Sequence, residues 1–385
     1  MSRVRLGDIV SRIKDFEDKD STDLLYYVGG EHFDNRSLTV NRKGIIKGST
    51  IGPAFHTKFT RGDVLLMSRN PHLRKAGIVD FDGICSDVSY IIRTKDEKII
   101  KQKFIPLLFQ SDIFWNFAER NKKGSTNFFL NWSDFEKFEF DLPDIDEQEK
   151  LCEVLWAIND TIKSYQEQIK QCDELVKGQF VEMFGELTNN TKGWPLKRLS
   201  DIAEYWNGLT YKPSDISKDG VIVLRASNIQ DGELDFDDIV RVKCIIKEKL
   251  YVKENDILMC SRNGSAKLVG KVALITELNE NISFGAFMEI IRSKYYVYLK
   301  VYMESEAFRT QLSMGTATIN QITGNMLSKV VVPMPDEDSI AKFEQFYKHL
   351  DKSKFAIKEA MENVLKIKIR KKEYLCKMIL KNRQK

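Results

Sequence analysis

Two short segments of this chain carry side chains that can read nucleic-acid bases. They share a sequence and lie 193 positions apart: Ser68-Arg69-Asn70 with Arg74, and Ser261-Arg262-Asn263 with Lys267. Arginine can donate two hydrogen bonds to guanine, asparagine can pair with adenine in the same way, and serine and lysine hold phosphates. We therefore predict a DNA contact at each segment. The alternative is a hairpin that its own asparagine and arginine stabilise.

Further polar segments extend this set of candidate DNA contacts. The first half of the chain contributes Lys123, Ser125 and Thr126. The second half contributes Arg225, Ser227, Asn228, Thr316, Thr318 and Asn320. Several of them stand beside glycine, which lets a backbone approach a ligand closely, and hydroxyl groups suit phosphate oxygens. These segments are predicted to contact DNA, with ordinary turns as the alternative.

The candidate segments belong to a longer internal repeat. Matching residues are Arg5-Leu6 and Arg198-Leu199, Asp63 and Asp256, Gly77 and Gly270, and Pro143-Asp144 and Pro335-Asp336. Two copies do not make a solenoid, which needs three or more stacked units. They suit a partner with two related half-sites, of which duplex DNA is the commonest. Residues 10–60 and 203–250 differ between the copies, as expected of two readers of different half-sequences or of drift after duplication.

Four segments make up the predicted α+β architecture. Residues 1–144 and 187–335 are expected to be two pseudo-symmetric, mixed α/β domains, because short apolar strands such as 64–67 alternate with turns and helical stretches. Residues 145–186 and 336–385 are expected to be two long helices that separate these domains.

Both helical segments carry a heptad pattern in the same phase. In the first, the apolar seam is Leu151, Leu155, Ile158, Ile162, Tyr165, Ile169, Cys172, Val176, Gln179 and Met183. In the second, it is Ile340, Phe343, Tyr347, Leu350, Lys354, Ile357, Met361 and Val364. Spacings of four and three residues are typical of a coiled coil. Beyond residue 364 the apolar residues shift to Leu365 and Ile369, so we expect the regular packing to loosen there.

The two helices also carry opposite charge. Residues 146–186 have a net charge of −6 and residues 336–385 a net charge of +6. Complementary helices most simply pair with each other, and a two-fold relation between the repeats makes that pairing antiparallel. The alternative is that each helix packs separately onto its own domain.

Composition and motifs exclude several classes of protein. The six cysteines form no C-x-x-C pair and the four histidines no H-E-x-x-H, so we expect reduced thiols and no metal site. The N-terminus is too polar for a signal peptide and no apolar run approaches the roughly 18 residues of a membrane span, which favours a cytoplasmic location. No Asn-Pro-Pro-aromatic tetrapeptide and no G-x-G-x-x-G motif is present, so we expect no catalysis by this chain.

The order of these motifs resembles that of the specificity subunit of type I restriction–modification enzymes. The carriers of the resemblance are Arg-Leu-x-Asp-Ile, Ser-Arg-Asn after a buried run, a polar glycine loop, and Pro-Asp before a long helix, each occurring twice over about 370 residues. Glu147-Gln148 also matches the family. The second copy departs from the pattern, with Asp338-Ser339 in that place.

The resemblance implies two target-recognition domains joined by two antiparallel helices. It implies double-stranded DNA as the ligand, with two adenine methyltransferase subunits and ATP-driven restriction subunits as partners. No cofactor is expected on this chain, since S-adenosylmethionine, ATP and Mg would belong to the partners. The rival hypotheses are a stand-alone nuclease or methyltransferase with an unrecognised site, and a structural coiled-coil adaptor without DNA binding.

Three aromatic residues of the first helix lie off its heptad seam. Trp156, Phe180 and Phe184 need cover from the globular domains or from another subunit. Aromatic residues are enriched where interfaces are tightest, so we predict that these three bind the methyltransferase partners.

Overall fold

The computed structural model describes residues 2–276, 278–313 and 320–380. The chain divides into two compact units. Unit 1 contains the described residues up to Glu167 and from Ile357 onward, and unit 2 contains those of Gln168–Ala356. Each long helix therefore contributes one part to each unit.

Unit 1 is built around sheets whose strands are antiparallel except for one parallel pair, Tyr26–Val28 with Gly83–Ser86. Its strands are β1 (Ser2–Arg5), β2 (Val10–Ile13), β3 (Asp15–Phe16), β4 (Tyr26–Val28), β5 (Gly44–Ile45), β6 (Phe55–Phe59), β7 (Val64–Met67), β8 (Ala76–Ile78), β9 (Gly83–Ser86), β10 (Ser89–Thr94) and β11 (Glu139–Leu142). Its helices are α1 (Leu6–Ile9), α2 (Phe104–Leu108), α3 (Asp112–Asn121), α4 (Trp132–Phe135) and the first part of α5 (Ile145–Phe184). One sheet has the order β2-β10-β7-β8, another β3-β6-β9-β4-β5, and β1 pairs with β11.

Unit 2 repeats the four-stranded sheet. Its strands are β12 (Leu196–Arg198), β13 (Glu204–Asn207), β14 (Ile216–Leu224), β15 (Ile229–Gln230), β16 (Glu233–Leu234), β17 (Val240–Val242), β18 (Ile257–Cys260), β19 (Val272–Leu274), β20 (Ile282–Phe284), β21 (Met288–Arg292) and β22 (Val331–Pro333). Its helices are α6 (Leu199–Ile202), α7 (Tyr296–Glu304), α8 (Glu306–Ser313), α9 (Gly324–Leu327) and the first part of α10 (Glu337–Met378). The order β13-β21-β18-β19 matches β2-β10-β7-β8, and β12 pairs with β22 as β1 does with β11. The predicted mixed α/β fold with two repeated domains is confirmed.

The repeated four-stranded sheet is apolar on both faces because a layer covers each side. Successive side chains of a strand point to opposite faces. Val64 and Leu66 accordingly join the cluster formed with the helices, whereas Leu65 joins a second cluster beneath the five-stranded sheet. In unit 2, Ile257 and Leu258 divide between two clusters in the same way. The continuous apolar runs noted in the sequence are therefore central strands.

An aspartate–arginine pair explains why one acidic residue recurs in both copies. Asp63 and Asp256 are almost fully buried. Asp63 forms an ion pair with Arg93 of the neighbouring strand, and Asp256 accepts two hydrogen bonds from Arg292, at 2.6 and 2.7 Å. Bidentate pairing satisfies the buried carboxylate, and it ties two adjacent strands together at the end opposite to the candidate loops.

Each long helix begins with a side chain that satisfies backbone groups. Gln148 is fully buried, accepts a hydrogen bond from Lys101 N and donates to the carbonyl oxygens of Ile99 and Pro143. In unit 2, Asp336 accepts hydrogen bonds from the backbone N–H and hydroxyl of Ser339, and its counterpart in unit 1, Asp144, accepts one from the backbone N–H of Glu147 at 3.1 Å. Both copies thus share N-terminal capping by an aspartate, and the buried glutamine belongs to the first copy.

Within each unit the long helices run antiparallel. In unit 1, residues near the start of α5 meet residues near the end of α10: Leu151 and Leu375 share a core cluster, and Tyr374 bonds to Glu147 at 3.2 Å. In unit 2, the ring centroid of Phe180, near the end of α5, lies 5.3 Å from that of Phe343, near the start of α10. The ten predicted seam residues of the first helix are all buried or partly buried. The predicted antiparallel pairing is confirmed.

Beyond residue 364, the contact seam of the second helix does not follow its apolar residues. Leu365 and Ile369 are 37% and 58% exposed, so the apolar contact does not shift onto them. The seam continues in the original phase to Leu375 and Met378, which are buried in the core of unit 1. Two lysines occupy the intervening seam positions: Lys368 is partly buried and Lys371 is exposed. Burial lowers the pKa of Lys368 and of Lys372, which lies beside the seam.

Candidate nucleic-acid interface

The Ser-Arg-Asn segment of unit 1 forms a fixed turn directly after β7. Asn70 and Arg74 both adopt the left-handed conformation, with φ of 52° and 53°, and they flank a short 3₁₀ helix over Pro71–Leu73. The backbone N–H of Leu73 donates to the Asn70 carbonyl at 2.9 Å. Asparagine tolerates this conformation better than most residues, so its place at the turn has a structural reason as well as a functional one.

The second predicted loop of unit 1 lies against this turn. The backbone N–H of Asn70 donates to the Phe128 carbonyl at 2.8 Å, and that of Leu130 donates to the Ser68 carbonyl at 2.9 Å. Lys123 pairs with Phe129 across the base of the loop, leaving Ser125 and Thr126 exposed at its tip. Two segments more than 50 residues apart in sequence thus form one polar surface with Arg69 exposed between them.

Unit 2 has the same arrangement in its described part. Ile322 N donates to the Ser261 carbonyl at 2.7 Å, and Arg262 and Gln321 form an isolated antiparallel β-bridge. The segment after residue 320 therefore again lies against the Ser-Arg-Asn turn. Asn320 is exposed. Thr316 and Thr318 lie outside the described residues.

Three exposed or half-exposed side chains of the unit 2 turn suit base or phosphate contact. Arg262 and Lys267 are exposed. The Asn263 side-chain oxygen accepts a hydrogen bond from Ser265 N at 2.9 Å. That bond orients the amide so that its NH₂ group has no partner among the described residues. The turn therefore presents a guanidinium, an ammonium and an amide donor together.

Three predicted DNA-contacting residues are instead structural. Ser68 and Ser261 are buried, and their hydroxyls donate to the carbonyls of Val88 and Phe287, at 2.7 and 3.1 Å. Asn228 is fully buried; its amide nitrogen donates to the carbonyls of Asp235 and Asp238, and its oxygen accepts from Arg225 N. The prediction of a direct DNA contact is corrected for these three residues, because their polar groups are already paired inside the protein.

Other predicted contacts carry an intramolecular acidic partner. Arg74 pairs with Asp112 in unit 1, and Arg225 pairs with Asp238 in unit 2 at 2.8 Å. Lys123 reaches Asp134 at 3.1 Å, although its side chain remains 56% exposed. A phosphate would have to compete with these carboxylates. The Ser227 hydroxyl is buried without a hydrogen-bond partner.

The structure contradicts the predicted partner binding of Phe180 and Phe184, whereas for Trp156, which is only partly buried, partner binding stays a prediction. Phe180 and Phe184 are buried in unit 2, where they contact Tyr298 and Phe343. Trp156 is partly buried against the core of unit 1, and its indole N–H donates to the Lys103 carbonyl at 3.0 Å. The globular part of each unit covers the helix face that the heptad seam leaves open.

Two residues at or beneath the candidate interface of unit 2 were not predicted from the sequence. Phe287, in the turn between β20 and β21, is 59% exposed. Glu289, two residues later, is 1% exposed and its Oε2 has no hydrogen-bond partner. Burial raises the pKa of Glu289 to about 7. A repeat-based search could not have identified them, because the corresponding residues of the first copy are Val88 and Tyr90.

The described residues contain no cluster of side chains that could hold a metal ion. The six cysteines are free thiols, and burial raises the pKa of Cys85 and of Cys152 to about 12, so neither is an activated nucleophile. Among the helices of the described ranges, none is long and apolar enough to span a membrane.

Comparison with known proteins finds similarity to the specificity subunits of type I restriction enzymes. Residues 2–172 match the family model described as the type I restriction modification DNA specificity domain. The StySPI specificity subunit of Salmonella potsdam is 30% identical over 154 residues, which cover 37% of this chain and 33% of that protein. The MjaVIII specificity subunit of Methanocaldococcus jannaschii is 20% identical over 319 residues, which cover 76% of this chain and 71% of that protein.

A solved structure agrees with the fold over nearly the whole chain. The type I restriction–modification S subunit from M. genitalium has a TM-score of 0.61 and 12% identity, covering 98% of this chain and 96% of that one. At this identity the likeness concerns the fold alone. The StySPI match spans only about a third of that relative's length.

Proposed function

We propose that this chain, whose residues 2–172 match the type I restriction modification DNA specificity domain, is the DNA-recognition subunit of a type I restriction–modification complex. One observation carries the proposal. In each unit a Ser-Arg-Asn turn lies beside a second polar segment and exposes an arginine, Arg69 or Arg262. Two such surfaces suit a DNA target with two half-sites.

The exposed side chains divide into two kinds of contact. In unit 1, Arg69 and Asn70 are proposed to reach base edges, while Lys123, Ser125 and Thr126 hold phosphates. In unit 2 the base-reading residues are Arg262 and Asn263, with Lys267 and Asn320 at the backbone. Arginine and asparagine specify bases through paired hydrogen bonds, whereas contacts to phosphates fix the register of the protein on the duplex.

The chain is proposed to recognise DNA without modifying it. The relatives named above are specificity subunits, and the side chains of both surfaces are donors rather than nucleophiles or paired acids and bases. Adenine methyltransferase subunits and ATP-driven restriction subunits are the proposed partners, and they would supply S-adenosylmethionine, ATP and Mg.

The direct test is to capture the partners and to measure whether methylation depends on this chain. The tagged full-length protein should co-purify with an adenine methyltransferase from its own host, and the purified pair should methylate host-derived, unmethylated DNA. The methyltransferase alone should methylate none of it. Methylation or cleavage by this chain alone would instead support the enzyme hypothesis, and a complex that binds no DNA would support the adaptor hypothesis.

A matched pair of variants tests the assigned surface. Arg262→Ala should weaken binding of the complex to its target by about tenfold or more, the effect of losing one bidentate base contact. Arg309→Ala removes another exposed arginine, from α8 in the same unit, and should leave affinity unchanged. Equal losses for both variants would mean that the arginines contribute only general charge.

A further inference from the structure

Phe287 is an exposed aromatic residue held rigidly against the candidate base-reading turn of unit 2. Its carbonyl accepts three hydrogen bonds: from Ser261 N at 3.0 Å, from Arg262 N at 3.1 Å and from the Ser261 hydroxyl at 3.1 Å. On the other side, Met288 N donates to the Gly285 carbonyl at 2.8 Å, and Gly285 N donates to that of Leu224 at 2.9 Å. The backbone of Phe287 is therefore fixed relative to that of Arg262.

The Arg262 guanidinium lies over the exposed ring of Phe287. The Arg262 guanidinium carbon is 5.5 Å from the centroid of the Phe287 ring. The ring is 59% exposed. Removing this apolar surface from water would lower the free energy. A cation and an apolar ring presented together form a recognition element with two distinct chemistries.

Both chemistries occur on base edges in the major groove. Arginine pairs with the O6 and N7 atoms of guanine, and phenylalanine makes apolar contact with the 5-methyl group of thymine. Neighbouring bases on a strand are about 3.4 Å apart along the helix axis. The Arg262 guanidinium and the Phe287 ring are 5.5 Å apart, slightly more than this spacing, so they can contact adjacent base pairs at the same time.

We propose that Arg262 and Phe287 act together to read a guanine and an adjacent thymine in the half-site bound by unit 2. The inference rests on the proposed function, and it adds a residue and the bases that this residue recognises. The ring contributes by excluding water from the thymine methyl group, and Arg262 contributes the paired hydrogen bonds to guanine.

The first copy shows that the aromatic ring is not required by the fold. Val88 occupies the corresponding position of unit 1, and its carbonyl accepts hydrogen bonds from the backbone N–H and hydroxyl of Ser68, at 2.9 and 2.7 Å. The same turn is thus built with a small side chain. Phe287 therefore adds something to unit 2 beyond the stability of the turn.

The test compares thymine with deoxyuridine, which lacks only the methyl group. The target is first read from the methylated sequences of a host that expresses the complex. Duplexes are then made with deoxyuridine at each thymine of the target in turn, and affinity is measured for the complete complex. At the thymine next to a guanine in the unit 2 half-site, deoxyuridine should weaken binding about fourfold, as expected for one buried methyl group.

Two variants separate the ring from other apolar residues. Phe287→Ala should bind the thymine and deoxyuridine duplexes equally and should match the wild type on deoxyuridine within about twofold. Phe236→Ala, at another exposed phenylalanine of unit 2, should keep the fourfold preference.

Three results would count against the inference or its basis. A unit 2 half-site without adjacent guanine and thymine would overturn the inference, and so would a wild-type complex that is indifferent to the methyl group at every position. If Phe287→Ala aggregates, Phe287→Leu is measured in its place, and it should retain part of the preference for thymine over deoxyuridine. A complex with no sequence-specific binding at all would refute the proposed function itself.

Discussion

The buried carboxyl of Glu289 should make the stability of unit 2 depend on pH. It lies in β21 with Oε2 unpaired, and burial raises its pKa from 4.5 to about 7. Between pH 4.5 and about pH 7, Glu289 keeps its proton in the folded protein but has lost it in the unfolded chain. The free energy of unfolding must therefore fall as the pH rises through this range, and the stabilisation is fully present only at lower pH.

The magnitude follows from the linkage between the two pKa values. Each pH unit over which the folded state keeps the extra proton is worth about 1.4 kcal/mol. From pH 5 to pH 8 the group should lower the free energy of unfolding by about 2 to 3 kcal/mol. Glu289→Gln has nearly the same shape and cannot ionise, so it should remove this part of the pH dependence.

Urea unfolding of the full-length chain, followed by tryptophan fluorescence at pH 5, 6, 7 and 8, measures the effect. The pH dependence, rather than the absolute stability, is compared, because the new amide has its own hydrogen-bonding requirements. Glu254→Gln, an exposed carboxyl of the same unit, is the control and should follow the wild type. An unchanged pH dependence in Glu289→Gln would refute the assignment of a raised pKa to this residue.

Further variants test the packing of unit 2. Asp256→Asn should lower the free energy of unfolding by about 2 to 4 kcal/mol, because it breaks a bidentate pair that is buried on the aspartate side, whereas Asp338→Asn, in an exposed pair, should cost less than about 1 kcal/mol. Burial alone would lower the pKa of Lys354, but hydrogen bonds to Asp173 and Glu233, at 2.6 and 2.8 Å, raise it. Lys354→Ala should therefore lower the free energy of unfolding of unit 2 by about 1 to 3 kcal/mol. Lys354→Met keeps the apolar stem of the side chain and should cost less. Urea unfolding measures both variants, and equal losses would contradict the role of the stem.

Much of the fold could be predicted because the relevant signals are local. The run of Val64 to Met67 has the length and composition of a buried strand, and the heptad spacing fixes which face of α5 meets α10. Repetition of Asp63 as Asp256 marked an important residue, although the sequence did not reveal its arginine partner. That partner lies on a different strand and depends on the register of the sheet.

The errors came from contacts between distant parts of the chain. A heptad seam describes only the contact between two helices, so it could not show that Tyr298 of α7 covers Phe180 and Phe184. Asn228 looked like a base-reading amide until the fold surrounded it with backbone carbonyls. Phe287 was overlooked for the opposite reason, since an isolated phenylalanine is more often buried than exposed.

The most direct test of the account is to sequence the methylated DNA of cells that contain the complex with wild-type, Arg69→Ala or Arg262→Ala protein. The wild type should methylate adenines in a target made of two specific half-sites with an unspecified spacer between them. Arg69→Ala should relax one half-site and Arg262→Ala the other, each leaving the remaining half-site intact. A single continuous target, or the same half-site relaxed by both variants, would contradict the conclusion that each unit reads its own half of the DNA sequence.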